Sequence, residues 1–476
     1  MSASVFEIPY GDSVIRAELP ERTRVIRQNQ PLPALSDPSQ AVRDALKLPI
    51  AHDPLSKLLG PKSKVTVAFD DPGGYSPAQK QPNIQEVAIK VLLEELDKLG
   101  VNPANIRLVC AVGLHRKWTT REMAAIIGEE LAYRFSPSQL YNHDAEDREN
   151  LVFLGETKRG HEVEVSRVVT DSDQLIYVGK PRSHFNGGWK SVTVGLSSYR
   201  SIRHHHRPFP KASGRSAMDP ARSAFPRLLN EMGEVIDKEL AKKDRRVLLI
   251  EGTMNNKPSP ELVHVVAGHP PEAHVESLEI LQKQLVVDVE GQSDMVIYGL
   301  GNGRDPYSKF SIINPILVRN LALSYSFGLF QNMPLVKPGG IAIFVHPCKR
   351  QFDAIRHAPY IEMFEKILPQ NKDPFEIWEL YADDYAHRPE YVHKYRYGHS
   401  YHGAHPIIIW GQGAYGLKHL GRAFLAGAAD FEAARMVGFE PFATVEEAIA
   451  EAERLMGKDC SISYVEITSN FICNVR

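Results

Sequence analysis

Short apolar runs alternate along the first half of the chain with stripes at helical spacing, and each run stops on a polar or glycine-rich loop. Residues 65–69 read as a buried strand ending on Asp70-Asp71-Pro72-Gly73-Gly74. A helix is predicted from about Asn83, with Ile84, Ala88, Val91, Leu92, Leu96 and Leu99 on one stripe and Gly100 at the stop. Residues 106–112 form the next predicted strand, ending on Gly113-Leu114-His115, and Thr119 to Glu122 has the spacing of a capping box opening another helix. Further strands are expected at 173–178 and 246–250. Strands alternating with helices imply a mainly parallel sheet, whose loops gather at the carboxyl edge, where such folds bind ligands.

A second alternating unit starts near residue 285, with strands predicted at 285–289, 295–298, 341–345, 405–410 and 463–467. The turn-like segment Pro270-Pro271-Glu272-Ala273-His274 marks the lobe boundary, so the expected organisation is two α/β lobes, 1–275 and 276–476, with a cleft between them. Residues 371–405 are polar, aromatic and rich in histidine without clear periodicity, and read as an insertion or lid on the second lobe.

Composition narrows the function classes. A net charge of -2 leaves no basic excess for a nucleic-acid backbone. The four cysteines stand far apart without a CxxC pair, which speaks against a thiolate zinc site or a disulfide framework. No secretory leader pattern and no long apolar run occur, so a cytoplasmic protein without a membrane partner is expected.

The chemically suggestive residues of the first lobe all follow strands or sit in glycine-rich loops: Asp70 and Asp71, His115, His184 with Gly187-Gly188-Trp189-Lys190, and His206 at the end of a histidine run. Singly, each has a plain structural reading, as a satisfied histidine or a lysine beside a turn. Loops at one sheet edge can nevertheless bring them into one pocket. Two histidines facing a substrate can act as paired acid and base, because imidazole titrates nearest neutrality. A lysine after Gly-Gly can be a Schiff-base amine, a phosphate ligand or a covalent tether. Of His204, His205 and His206, at most one can ligate a metal while the others diverge; a solvated basic loop is the alternative. In the second lobe, Gly299-Leu300-Gly301-Asn302-Gly303 resembles a dinucleotide loop but has Arg304 where the third glycine belongs. His399, His402 and His405, spaced by three, lack a completing carboxylate or cysteine and read as a solvated lid or a pocket rim.

With these residues assembled, the chain resembles the nickel-pincer lactate racemase family and its wider group of 2-hydroxyacid racemases and epimerases, nearly end to end. Gly113-Leu114-His115-Arg116 is similar to the family's acid/base loop, and Asn142-His143-Asp144 to its Asn-His-Asp signature. His184 followed by Gly187-Gly188-Trp189-Lys190-Ser191 resembles its tether segment, and His206 falls at the family's spacing of sixteen from the lysine. Ala273-His274 resembles the end of another family block, and Gly413-Ala414-Tyr415 through Ala448 its last helical segment. The resemblance implies that Lys190 carries a pyridinium-3-thioamide-5-thiocarboxylic acid mononucleotide, with Asp71, Gly187 and Gly188 beside it, and that His206 is the protein ligand of its nickel. It also implies that His115 and His184 take turns with the substrate hydroxyl proton while hydride leaves and returns to the carbinol carbon. Enzymes that synthesise the cofactor are the implied transient partners.

Departures from the family fall on the substrate side. Asp71-Pro72-Gly73-Gly74 keeps the family's aspartate but has glycine where a substrate-binding arginine stands, so a charge-assisted carboxylate contact is missing. The family's Gln-Ala-x-Lys motif is not evident in the segment from Ser311 to Arg319. The expected enzyme is therefore an isomerase acting on a larger hydroxyacid or a sugar acid, with Arg304, Lys309, Arg319 and Trp410 as candidate substrate contacts. The alternatives are a pincer oxidoreductase that releases a 2-oxo product and a non-catalytic hydroxyacid-binding relative, although a pure binder has no need of paired histidine bases.

Overall fold

A computed structural model describes residues 3–74, 82–181, 186–208, 223–466 and 471–476. In the first lobe, six strands lie in the spatial order Leu262–Gly268, Leu248–Met254, Gln174–Gly179, Val65–Asp70, Ile106–Ala111, Leu140–Asn142. Every neighbouring pair is parallel except the antiparallel edge formed by the first two. Central strands of such a sheet are covered on both faces, which is why Val65–Asp70 and Gln174–Gly179 read as unbroken apolar runs and are buried almost throughout. The helix Ile84–Lys98 follows Asn83, and the capping box of Thr119 and Glu122 opens Thr120–Ile127.

Chain order reverses between Val65–Asp70 and Gln174–Gly179, because the strands that follow the first step away on one side and those that follow the second on the other. Loops leaving the carboxyl ends of two such strands diverge to opposite faces and leave a crevice between them, the usual ligand position in an open α/β sheet. Asp70, Asp71 and Lys180 stand at that crevice.

The second lobe is also α/β. Its parallel strands run Glu440–Phe442, Arg422–Ala426, Val336–Val345, Ser293–Gly301, Ile462–Glu466, Arg24–Arg27. A hairpin, Ala3–Gly11 with Ser13–Pro20, joins through Tyr10 and Gly11 beside Leu300 and Gly301. The division at residue 275 is thus corrected on two counts. Residues 3–27 belong to the second lobe's sheet, and the cut would fall inside the helix Pro270–Leu285.

Two other expectations change. Residues 405–410 are not a strand but part of the helix His405–Gln412; the isoleucine run suggested extended backbone, yet His405, Ile408, Ile409 and Gln412 recur at helical spacing on one face. The aromatic segment before it forms two helices, Pro374–His387 and Pro389–Tyr397. Their period is hidden because tyrosines are buried there as well as aliphatic residues: Tyr385, Tyr391 and Tyr395 are inside, whereas His387 and His393 are exposed. Tyr395 ties this segment to the first lobe, its hydroxyl donating to Gly113 O at 2.8 Å and accepting from Ala145 N at 3.0 Å.

No helix among the described residues is long and apolar enough to cross a membrane.

Candidate active site

The crevice of the first sheet opens into a cavity of about 200 Å³ roofed by the second lobe. Asp71, His115, Gly187, Lys190 and His206 all line it. His184 lies outside the described residues.

His115 reaches the cavity because the chain turns sharply after Ile106–Ala111. Gly113 has φ +52°, and a Cβ there would meet Val194 O at 2.7 Å, so only glycine fits this close crossing. His115 Nδ1 lies 2.6 Å from Asp71 Oδ2. Burial alone would raise the Asp71 pKa, but His115, the N–H of Gly73 and the indole of Trp118 together hold it below the usual carboxylate range. An ionised Asp71 makes Nδ1 the donor, which turns Nε2 into the ring nitrogen that can take a proton from a ligand.

The neighbouring motifs are scaffolding for this loop. Arg116, fully buried, stacks on Trp118 with its guanidinium 3.7 Å from the ring centre, pairs with both oxygens of Glu122 at 2.8 and 3.0 Å, and donates across the cleft to Lys309 O at 3.1 Å. Asn142 clamps the backbone of Trp118, accepting its N–H and donating to its carbonyl, each at 2.9 Å. His143 is bound to Ser197 O at 3.0 Å, and burial pushes its pKa down to about 4. Asp144 accepts from Lys117 Nζ at 2.6 Å and Arg396 Nε at 3.1 Å.

Lys190 opens the short helix Lys190–Gly195. Burial holds its ammonium below the usual lysine range, against the opposing pull of Asp70 and Asp71. The glycines before it answer to the protein behind them. Gly187 and Gly188 have φ +96° and +56°, and a Cβ on either would collide with Glu251 or His274. Glu251, fully buried, accepts Gly188 N–H at 2.8 Å and holds His274 Nδ1 at 2.9 Å. Gly188 is therefore packed against this pair rather than on the cavity wall. Glu251 carried no sequence signal; His274 was visible only as part of the family block.

The histidine run is the end of the helix Tyr199–His206, not a solvated loop. His204 turns toward Glu162 and His161, His205 is buried, and His206 lines the cavity with its Nδ1 2.6 Å from that of His205. One residue of the three thus faces the site. Among the described residues no group of three or more His, Cys, Asp or Glu side chains forms a metal cluster.

From the second lobe comes a residue that sequence reasoning left at a pocket rim. His405 lines the cavity, its ring centre 5.3 Å from that of His115, with Tyr360 OH at its Nδ1 at 2.6 Å and Tyr401 stacked at 4.5 Å. Burial, with further lowering by His115, keeps it neutral. Its supposed partners lie elsewhere: His402 is buried against Glu146 at 2.9 Å, and His399 contacts Lys117 O at 2.9 Å.

The candidate substrate contacts are a correction, since none of them lines the cavity. Arg304 donates to Tyr325 O at 3.4 Å, and Lys309 donates to Gly303 O at 3.0 Å. Trp410 points to the other side of its helix, donating to Lys372 O at 3.1 Å and carrying the buried guanidinium of Arg319 at 3.8 Å from its ring centre. Burial pushes the Arg319 pKa down to about 9. The loop resembling a dinucleotide site serves packing: a Cβ on Gly299 would meet Pro9 at 2.6 Å.

Beside the wall, buried Asp305 has no hydrogen-bond partner of good geometry for either oxygen, and burial pushes its pKa up to about 6 against weaker pulls from Ser308 and the Tyr307 backbone. A carboxyl with a raised folded pKa stabilises the fold while protonated, so its contribution is complete below about pH 4 and is lost as pH rises through about 6. Asp305→Asn is expected to match the parent in urea unfolding at pH 4 and to exceed it by up to about 3 kcal/mol at pH 7.5. Equal differences at both pH values would refute this.

Residues 10–218 match the model of the lactate racemase N-terminal domain. The chain is 25% identical over 381 residues to a lactate racemase of Thermoanaerobacterium thermosaccharolyticum, covering 78% of this chain and 79% of that one. It is 25% identical over 207 residues to a lactate racemase of Lactiplantibacillus plantarum, 42% of this chain and 46% of that one. Among solved structures, the lactate racemase apoprotein of T. thermosaccharolyticum shares the fold with a TM-score of 0.71 at 21% identity, over 99% of this chain and 100% of that one. A Thermotoga maritima protein gives a TM-score of 0.58 at 15% identity, over 94% of this chain and 100% of that one.

Proposed function

The chain belongs to the lactate racemase family, and from that premise we propose that it inverts a hydroxyl-bearing carbon of a hydroxyacid with a lysine-tethered nickel-pincer nucleotide as cofactor. It is an isomerase of hydroxy acids. The observation that carries the finer reading is the convergence of the Asp71–His115 pair with Lys190 and His206 at the switch point of the first sheet.

The residues fit such a group. Lys190 offers an amine whose cationic form is disfavoured by burial, as attachment through nitrogen requires, and His206 offers an imidazole on the same cavity. When bound, the nucleotide supplies a hydride acceptor and donor for the carbinol carbon. The chain's own part is proton handling and orientation. Asp71 fixes the tautomer of His115, and His115 Nε2 receives the hydroxyl proton and returns it after the centre has inverted. His184 is proposed for the same task on the opposite face. Gly187, with Glu251 and His274 behind it, sets the position from which Lys190 starts. We assign the protein to the cytoplasm, with the cofactor-synthesis enzymes as transient partners.

The test is chiral analysis of a single-enantiomer hydroxyacid incubated with protein made alongside the pincer-synthesis enzymes and nickel. Drift toward an equal mixture supports the reading. Accumulation of a free 2-oxo acid would replace it with an oxidoreductase, and an adduct-bearing protein that changes no hydroxyacid would leave a binding protein.

A further inference from the structure

Every charged Asp, Glu, Lys or Arg among the described residues lining the cavity comes from the first lobe: Asp70, Asp71, Lys180 and Lys190. The described residues of the second lobe contribute none. Several of its polar groups have a partner within that lobe. Tyr307 and Tyr325 share a hydroxyl contact of 3.1 Å, Ser324 donates to Gln412 at 3.4 Å, Tyr415 meets His419 at 3.2 Å, and His405 is held by Tyr360. The same wall also carries the apolar side chains of Leu323, Phe330, Ile408 and Ile409, beside the aromatic Tyr307, Tyr325 and Tyr415.

The rings of Tyr307 and His405 each stand 5.3 Å from His115, so a substrate whose hydroxyl reaches His115 directs the rest of its body against this wall. Against the described residues of this wall, a second carboxylate would be desolvated without a cation, and hydroxyls of a sugar-acid chain would meet mainly apolar surface. A methyl group would leave the apolar surface uncovered.

We propose that the substrate is a 2-hydroxyacid carrying a bulky, uncharged, mainly apolar substituent, aryl or branched aliphatic, which packs on the second-lobe wall while the acid group stays on the first-lobe side near Lys180. This rests on the racemase reading above and narrows it away from lactate, dicarboxylic hydroxyacids and sugar acids.

The test uses the loaded wild-type enzyme, its adduct verified by intact mass, and compares kcat/KM for inversion of phenyllactate, 2-hydroxyisocaproate, lactate, hydroxysuccinate and a straight-chain sugar acid. The first two are expected to exceed lactate by at least about tenfold, the scale of discrimination an apolar pocket gives, and to exceed the last two by more. Equal or higher kcat/KM for any of the last three acids would overturn the substrate class while leaving the racemase reading intact. Inversion of none of the five would overturn the racemase reading itself, and this inference with it.

Discussion

His115→Ala is expected to lower the inversion rate by about 10²- to 10⁴-fold, the range supplied by a positioned acid/base group, while the cofactor adduct on Lys190 persists. The side chain contacts Asp71, Tyr307 and His405 but bears no part of the tether. Asp71→Asn should fall between parent and alanine variant, because an amide can hold the ring without enforcing the tautomer that leaves Nε2 basic. Intact mass and chiral analysis on the same preparation separate the two functions. An adduct-bearing alanine variant that inverts at the parental rate would remove His115 from the proton path.

Lys190→Ala is expected to abolish both the adduct and all inversion. Lys190→Arg should do the same, since a guanidinium keeps the charge but not the primary amine. Neither change should unfold the loop, whose geometry is set from behind. Gly188 is bonded to Glu251, and Trp189 packs over Gly233, where a Cβ would meet the indole at 2.3 Å, and makes a T-shaped contact with His269 at 5.6 Å between ring centres. A thermal midpoint near the parent's with no mass increment is the predicted pair of results. A full increment on Lys190→Ala would mean the cofactor is held elsewhere.

The first lobe was legible because its physics is local. A buried parallel strand must be apolar on both faces, a helix start is signalled by a cap such as that of Thr119, and loops after such strands share one edge, which is how His115, Lys190 and His206 could be expected in one place. The opposite wall was not legible. His405 owes its place to Tyr360, 45 positions away, and to the packing of its own lobe over the first, neither of which leaves a trace beside it in the chain. The isoleucines after it favour strands by propensity, and packing overrode the preference. Arg304, Lys309 and Trp410 have side chains suited to a substrate, but nothing in the sequence gives their positions, and a hydrogen bond of each goes to a backbone carbonyl away from the cavity chemistry. The Asn-His-Asp signature was visible, but its work of bracing the His115 loop emerges only from Asn142 clasping Trp118 and Asp144 gathering Lys117 and Arg396.

Arg24–Arg27 pairs with Ile462–Glu466, and Arg24 Nε donates to Ser463 Oγ at 3.0 Å across 439 positions. On the ribosome, these early strands emerge long before the partner they require, whereas every described strand of the first sheet has been made by Gly268. The first lobe can therefore fold while the other is still being translated, and the roof over its cavity is assembled last. A chain cut short before Ile462 would keep Lys190 and His115 beside the first sheet but leave Arg24–Arg27 and one flank of Ser293–Gly301 as bare edges, open to pairing with other chains.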